Sequence, residues 1–250
     1  MKLLKSVLVA AAIGLSGARA DTLPEGFVDL STLDKTIPIE LRYNSEWNFM
    51  GRVVTGYFAN RCYLTKPAAE ALVKVQVQLM RKGLSLLMID CYRPQRAVSE
   101  FMKWSQDLTD LKMKEIFYPE EPKNLLIERG YIAEKSGHTR GSTVDLTLIK
   151  KPKVLPSESE ILKYKEKPVD CRYQTDILKT GQLDMGTMVD CFSEMSNTDN
   201  GKISEGAKKN RMVLKNVMEK NGFSHYPKEW WHFTLKNEPF KDKYFDFEIR

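Results

Sequence analysis

Histidine is scarce in this chain, with three in 250 residues, at positions 138, 225 and 232. After the first twenty residues no apolar run approaches the roughly twenty needed to cross a bilayer, so no membrane span is expected. There is no internal repeat, low-complexity tract or Pro/Ser-rich linker. That absence points to one domain and leaves no separate module for binding polysaccharide. No Cys-x-x-Cys pair occurs, which argues against a cysteine-held zinc. A strong basic excess is missing too. The net charge of +6 falls to +3 once residues 1–20 are set aside, since Lys2, Lys5 and Arg19 leave 36 basic against 33 acidic groups. Such a surface is no nucleic-acid footprint.

What is present begins with an export pattern. Met1-Lys2-Leu3-Leu4-Lys5 is a positive start, Val7 to Leu15 is a short apolar run, and Ala18-Arg19-Ala20 is a small-x-small cleavage pattern. Residues 1–20 are therefore expected to be a cleaved signal peptide, leaving 21–250 as a periplasmic or secreted domain. Four cysteines in an exported chain suggest two disulfides. Sequence alone permits three pairings. Cys62 with Cys91, and Cys171 with Cys191, is the expected pairing, because each pair is close in the chain and flanks a plausible structural unit.

Apolar residues at helical spacing, including Ala68, Leu72, Val75 and Leu79, predict a helix over 66–82 that Gly83 ends. Residues 84–90 read as a buried strand, 95–104 as a second helix and 143–149 as a β-branched central strand. A helix over 208–221 stops at Gly222, and a strand covers 230–235. Residues 27–30 are extended. The Lys- and Pro-rich stretch 150–182 shows little periodicity and reads as an irregular excursion tied back through Cys171. The class is α+β, a single compact domain with a small, mostly antiparallel central sheet flanked by helices.

Two of the three histidines keep unusual company. One lies in Ser136-Gly137-His138-Thr139-Arg140-Gly141-Ser142-Thr143-Val144-Asp145, the other in Glu229-Trp230-Trp231-His232. Two neutral imidazoles and one carboxylate are a usual three-ligand set for catalytic zinc, with the fourth position left for water. Taken singly, each histidine reads as an ordinary core or surface residue, and Asp145 as a structural hydrogen-bonding group. Together they read as a site, because a charge in the apolar strand around Asp145 is costly unless paired or metal-bound. His138, Asp145 and His232 are the expected ligands of one zinc ion per chain, in a central cleft. Glu229, three positions before His232, is placed to exchange protons with water beside the metal. Arg93 ends a buried strand in Asp90-Cys91-Tyr92-Arg93-Pro94, where it can meet an oxyanion, with Asp90 orienting it.

These residues together resemble the D-alanyl-D-alanine dipeptidases, a family known from vancomycin-resistance clusters and from Gram-negative periplasms. The resemblance also runs through Leu41-Arg42-Tyr43, Asn48-Phe49-x-Gly51, Met185-Gly186-Thr187-x-x-Asp190, Gly222-Phe223 and Tyr244-Phe245-Asp246-Phe247. It implies zinc on His138, Asp145 and His232, Glu229 as general acid and base, and Arg93 as transition-state stabiliser. Tyr43, Ser136 and Asp190 are implied to line the substrate pocket, Asp190 meeting the substrate ammonium and Ser136 its carboxylate end or peptide groups. The implied reaction is hydrolysis of D-Ala-D-Ala and related small D-dipeptides, in cell-wall peptidoglycan turnover or nutrition. A zinc carboxypeptidase or endopeptidase acting on peptidoglycan peptides is the rival reading, and a zinc-binding module without catalysis is another. This chain departs from the family's compact form in the length of its 150–182 stretch and in its cysteines.

Overall fold

The computed structural model describes residues 23–151, 170–173 and 181–250. The export pattern at 1–20 and most of the 150–182 excursion lie outside the described residues. Within the excursion, Gln182 forms an antiparallel bridge with Ile149, and Cys171 is fully buried.

The fold is easiest to build from its central strand, β4 (Thr143–Lys150). Val144, Leu146 and Leu148 alternate with Thr143, Asp145 and Thr147, and both sets are buried. A strand covered on both faces belongs inside a sheet. Its neighbours are β3 (Leu84–Asp90) on one side and β6 (Glu229–Leu235) on the other, with β5 (Phe223–Tyr226) at the far edge. Every pairing is antiparallel. The register sets Asp145 directly opposite His232 and, two positions on, Thr143 opposite Thr234. The threonine hydroxyls hydrogen-bond at 2.9 Å, which helps pin that register. A smaller antiparallel pair joins β1 (Phe27–Asp29) to β2 (Tyr63–Thr65).

Helix α1 (Lys66–Met80) has proline in its first turn, where the missing N–H costs nothing. It packs Leu72, Val75 and Leu79 against β3, each contributing roughly 1.5–3 kcal/mol by burial. Gln76 is buried on the same helix but fully used, accepting from Leu86 N at 3.0 Å and donating to Ser85 Oγ at 2.8 Å. Helix α2 (Gln95–Gln106) runs two residues beyond the expected 104, followed by the one-turn helix α3 (Lys114–Phe117). Helix α4 (Glu205–Lys220) starts three residues earlier than 208, because Ser204 caps it by accepting from Ala207 N at 3.0 Å. It packs on α1 and on the sheet.

The chain end is part of the core. Tyr92 stacks on Phe247 with ring centroids 3.9 Å apart, and Phe27 meets Phe245 and Phe247 edge to face. This aromatic cluster lies under the turn that carries His138, since Phe245 N donates to Thr139 O at 3.0 Å.

Candidate active site

The turn Gly137–Arg140 is a single 3-10 turn capped by Ser136, whose Oγ accepts from His138 N at 3.3 Å. It ends on Gly141 with φ of 78°, a left-handed conformation that glycine adopts without penalty. A Cβ there would stand 2.2 Å from the Phe27 ring. Gly137 is needed for a different reason, since a Cβ would meet Thr143 Oγ1 at 2.5 Å. The turn thus lies flat on the core and turns His138 inward.

His138 is 1 % exposed and Asp145 2 %. His138 Nδ1 lies 2.7 Å from the carbonyl oxygen of Cys91. A carbonyl only accepts, so Nδ1 carries the proton and Nε2 presents a lone pair. That Nε2 stands 3.1 Å from Asp145 Oδ2, and His232 Nδ1 stands 3.1 Å from Asp145 Oδ1. Ligand atoms of His138, Asp145 and His232 all lie within 4.8 Å of one another. His138 Nε2 and Asp145 Oδ1 are buried without a hydrogen-bond partner. Converging lone pairs in a dry setting repel unless a cation sits among them. Two nitrogens and one oxygen suit zinc, whereas calcium or magnesium would ask for more oxygen. The three residues therefore fit a zinc ion.

Glu229 opens β6, and strict alternation would send it to the opposite face from His232. A register shift between His225 and Tyr226 breaks the ladder at this end, and Glu229 Oε2 comes within 3.4 Å of His232 Nδ1. Burial pushes its carboxyl up to about 8, against the pull of His232.

Arg93 is held on three sides. Its Nε donates to Asp90 Oδ2 at 2.9 Å, Nη2 lies 3.5 Å from Asp145 Oδ2, and the guanidinium covers the Tyr43 and Phe101 rings at 5.0 and 5.2 Å. Asp90 is anchored in turn by the Tyr57 hydroxyl, which donates to Oδ1 at 2.8 Å. Tyr43, Ser136 and Asp190 line the same cavity, of about 220 Å³, as His138, Asp145, His232, Glu229 and Arg93. Burial and the nearby Asp145 push Asp190 up to about 7.

The structure adds residues that the sequence reading passed over. Tyr57 steadies Asp90, Phe101 underlies Arg93, and Tyr131, Lys135 and Tyr226 form part of the wall. Lys135 sits beside Ser136 in sequence, so position offered a hint, but Tyr57 carried no local signal. Both disulfides adjoin the site. Cys62 bonds Cys91, beside Asp90, and Cys171 bonds Cys191, beside Asp190.

Several known proteins are similar to this chain in sequence. A peptidase M15 family model described as D-ala-D-ala dipeptidase matches residues 24–158 and 173–250. A D-alanyl-D-alanine dipeptidase of Streptomyces coelicolor is 37 % identical over 224 residues, covering 89 % of this chain and 98 % of its own. One from Enterococcus faecium is 34 % identical, covering 90 % and 98 %. A solved vancomycin-resistance D,D-pentapeptidase in complex with Zn(II) aligns over 72 % of this chain and 77 % of its own, at 13 % identity and a TM-score of 0.38. The assignment rests on the sequence relatives and on the family match, which covers most of the chain. The chain belongs to the D-Ala-D-Ala dipeptidase family.

Proposed function

We propose that this protein is an exported, zinc-dependent dipeptidase that hydrolyses D-Ala-D-Ala and related small D-amino-acid dipeptides. The observation that carries the reading is the convergence of ligand atoms from buried His138 and Asp145 and partly buried His232 within 4.8 Å, in a cavity that also holds Glu229 and Arg93. At about 220 Å³ the cavity is smaller than the roughly 300–1,000 Å³ typical of drug-sized ligands. A free dipeptide suits it better than a peptidoglycan strand. Export is supported by the pattern in residues 1–20 and by two buried disulfides. No helix among the described residues is long and apolar enough to cross a membrane.

Zinc held by His138, Asp145 and His232 would supply a Lewis acid that acidifies water and polarises the scissile carbonyl. Glu229 takes the proton from the attacking water at its carboxylate and later delivers it to the departing amine. Its Oε2 stands 3.4 Å from His232 Nδ1, beside the residues that would hold the metal and its water. Arg93, fixed by Asp90 against two aromatic rings, offers its guanidinium to the oxyanion of the tetrahedral intermediate. Asp190 receives the substrate ammonium, while Ser136 and Tyr43 border the peptide.

The test is ninhydrin-detected hydrolysis of D-Ala-D-Ala by residues 21–250, beside Glu229→Ala and a chelated sample. Hydrolysis is expected in the untreated protein. Glu229→Ala should lose roughly 10²–10⁴-fold in kcat while keeping its zinc, and chelation should abolish activity until zinc is restored. A zinc-loaded protein inert on D- and L-dipeptides sinks the proposal.

A further inference from the structure

Asp190, the proposed receptor for the substrate ammonium, stands on no strand or helix. It is also the one non-glycine residue with left-handed backbone among those described, with φ of 59°. A side chain in that conformation persists only when its surroundings hold it there. The proposed metal residues are placed differently, two of them by the β4–β6 ladder and the third by the Gly137–Arg140 turn.

The surroundings of Asp190 are specific. Its following residue, Cys191, is bonded to Cys171 with Cα atoms 5.4 Å apart, and neither cysteine has solvent exposure. Cys171 is itself pinned at both backbone polar groups. Its N donates to Ile116 O at 2.8 Å, and its O accepts from Met188 N at 2.8 Å. Beyond Asp190, the Cys191 carbonyl accepts from Ser196 Oγ at 2.6 Å, and Phe192 N donates to Phe117 O at 2.8 Å. Before it, Val189 O accepts from the buried Arg42 Nη1 at 2.8 Å. The backbone is thus clamped on both sides of one carboxylate. The disulfide joins that clamp to the layer formed by residues 116 and 117.

We propose that the Cys171–Cys191 disulfide is a positioning element for substrate recognition, holding the Asp190 carboxylate in the cavity while taking no part in metal binding or hydrolysis. This rests on the reading of Asp190 given above. A crosslink of purely structural worth, once removed, lowers stability and leaves the kinetics of the folded enzyme alone. A positioning crosslink moves KM.

The experiment compares Cys171→Ala/Cys191→Ala with Asp190→Asn and the unmodified chain, measuring kcat and KM on D-Ala-D-Ala and zinc content by atomic absorption. The disulfide variant is expected to raise KM roughly 10- to 100-fold, the range for misplacing a hydrogen bond to a charged group. Its kcat should stay within about twofold and its zinc content should be unchanged. An unchanged KM, or a parallel loss of zinc and kcat, overturns the proposal when Asp190→Asn does raise KM. An unchanged KM in Asp190→Asn removes the reading of Asp190 itself, and the proposal with it. If the double variant does not fold by circular dichroism, Cys171→Val/Cys191→Ala carries the test, since it refills part of the buried volume while leaving the crosslink out. There a KM rise of about threefold or more supports the proposal, and no change overturns it.

Discussion

Single residues show most plainly how shape and chemistry meet. Gly141 and Gly83 are both left-handed, at φ of 78° and 68°, yet they face different surroundings. A Cβ at Gly141 would overlap the Phe27 ring, while one at Gly83 meets nothing within 4 Å. Gly83→Ala is expected to cost only the conformational penalty of about 1–2 kcal/mol. Gly141→Ala adds overpacking of about 1–3 kcal/mol and should cost roughly 2–5 kcal/mol. Urea midpoints of the two variants check this, and equal losses would refute it. Sequence spacing brought His138, Asp145, Glu229 and His232 into view because each breaks the character of its neighbourhood. Tyr57 stayed hidden, since a tyrosine 33 residues from the Asp90 it bonds leaves no local pattern. The Cys91 carbonyl that sets the His138 tautomer was invisible for the same reason.

At the scale of elements, the long periodic segments were legible and the short ones were not. α1, α4, β3, β4 and β6 all stand near their expected limits. β5 (Phe223–Tyr226) went unread because four residues, including Ser224 and His225, are too few to show alternation. Helix α4 also has a task that no periodicity announces. Its Arg211 is 1 % exposed and donates to three carbonyls, those of Met185, Asn197 and Met195, at 2.7, 2.7 and 2.9 Å. One side chain thereby fastens the helix to both feet of the loop that carries Asp190. Arg211→Met removes three hydrogen bonds from a buried charged donor and should cost about 3 kcal/mol or more by chemical denaturation. Arg211→Lys should recover only part, because an ammonium cannot reproduce the planar fork. Full recovery by lysine would contradict this account.

The whole molecule couples protons, metal and folding. Without a cation, burial lifts Glu229 from 4.5 to about 8. Burial and the charge of Asp145 lift Asp190 from 3.8 to about 7. Both groups then bind protons in the folded state that the unfolded chain has released, so metal-free stability falls as pH rises between about 5 and 8. His232 acts in the same sense. Burial opposes its charge, but the neighbouring Asp145 carboxylate outweighs it and raises its pKa, so its contribution is lost as pH rises. Asp145 is held below the usual carboxylate range, and its contribution disappears only in acid, beneath this window. Zinc needs deprotonated ligands, so its stabilisation grows with pH. The gap in Tm between zinc-loaded and chelated protein should widen from pH 5.5 to 8 by roughly 2 kcal/mol, or about 4–8 °C. Scanning calorimetry at several pH values checks it, and a constant gap would count against this donor set. At this scale the α+β class was readable from the order of periodic segments. Sheet order β3-β4-β6-β5 was not, because nothing local encodes which strands become neighbours.

The cross-strand pairing of Asp145 with His232 also bears on how such a chain can diverge. Two donors set by a hydrogen-bonded ladder do not depend on how much polypeptide runs between them. Insertions between the strands are therefore tolerated by the hydrolytic centre, while a single residue added inside β4 before Asp145 would rotate that carboxylate to the other face. Asp190 lies in that permissive interval, held by local fasteners. Lineages sharing this ladder are free to trade one substrate for another by rebuilding the interval, and to inherit the chemistry unaltered.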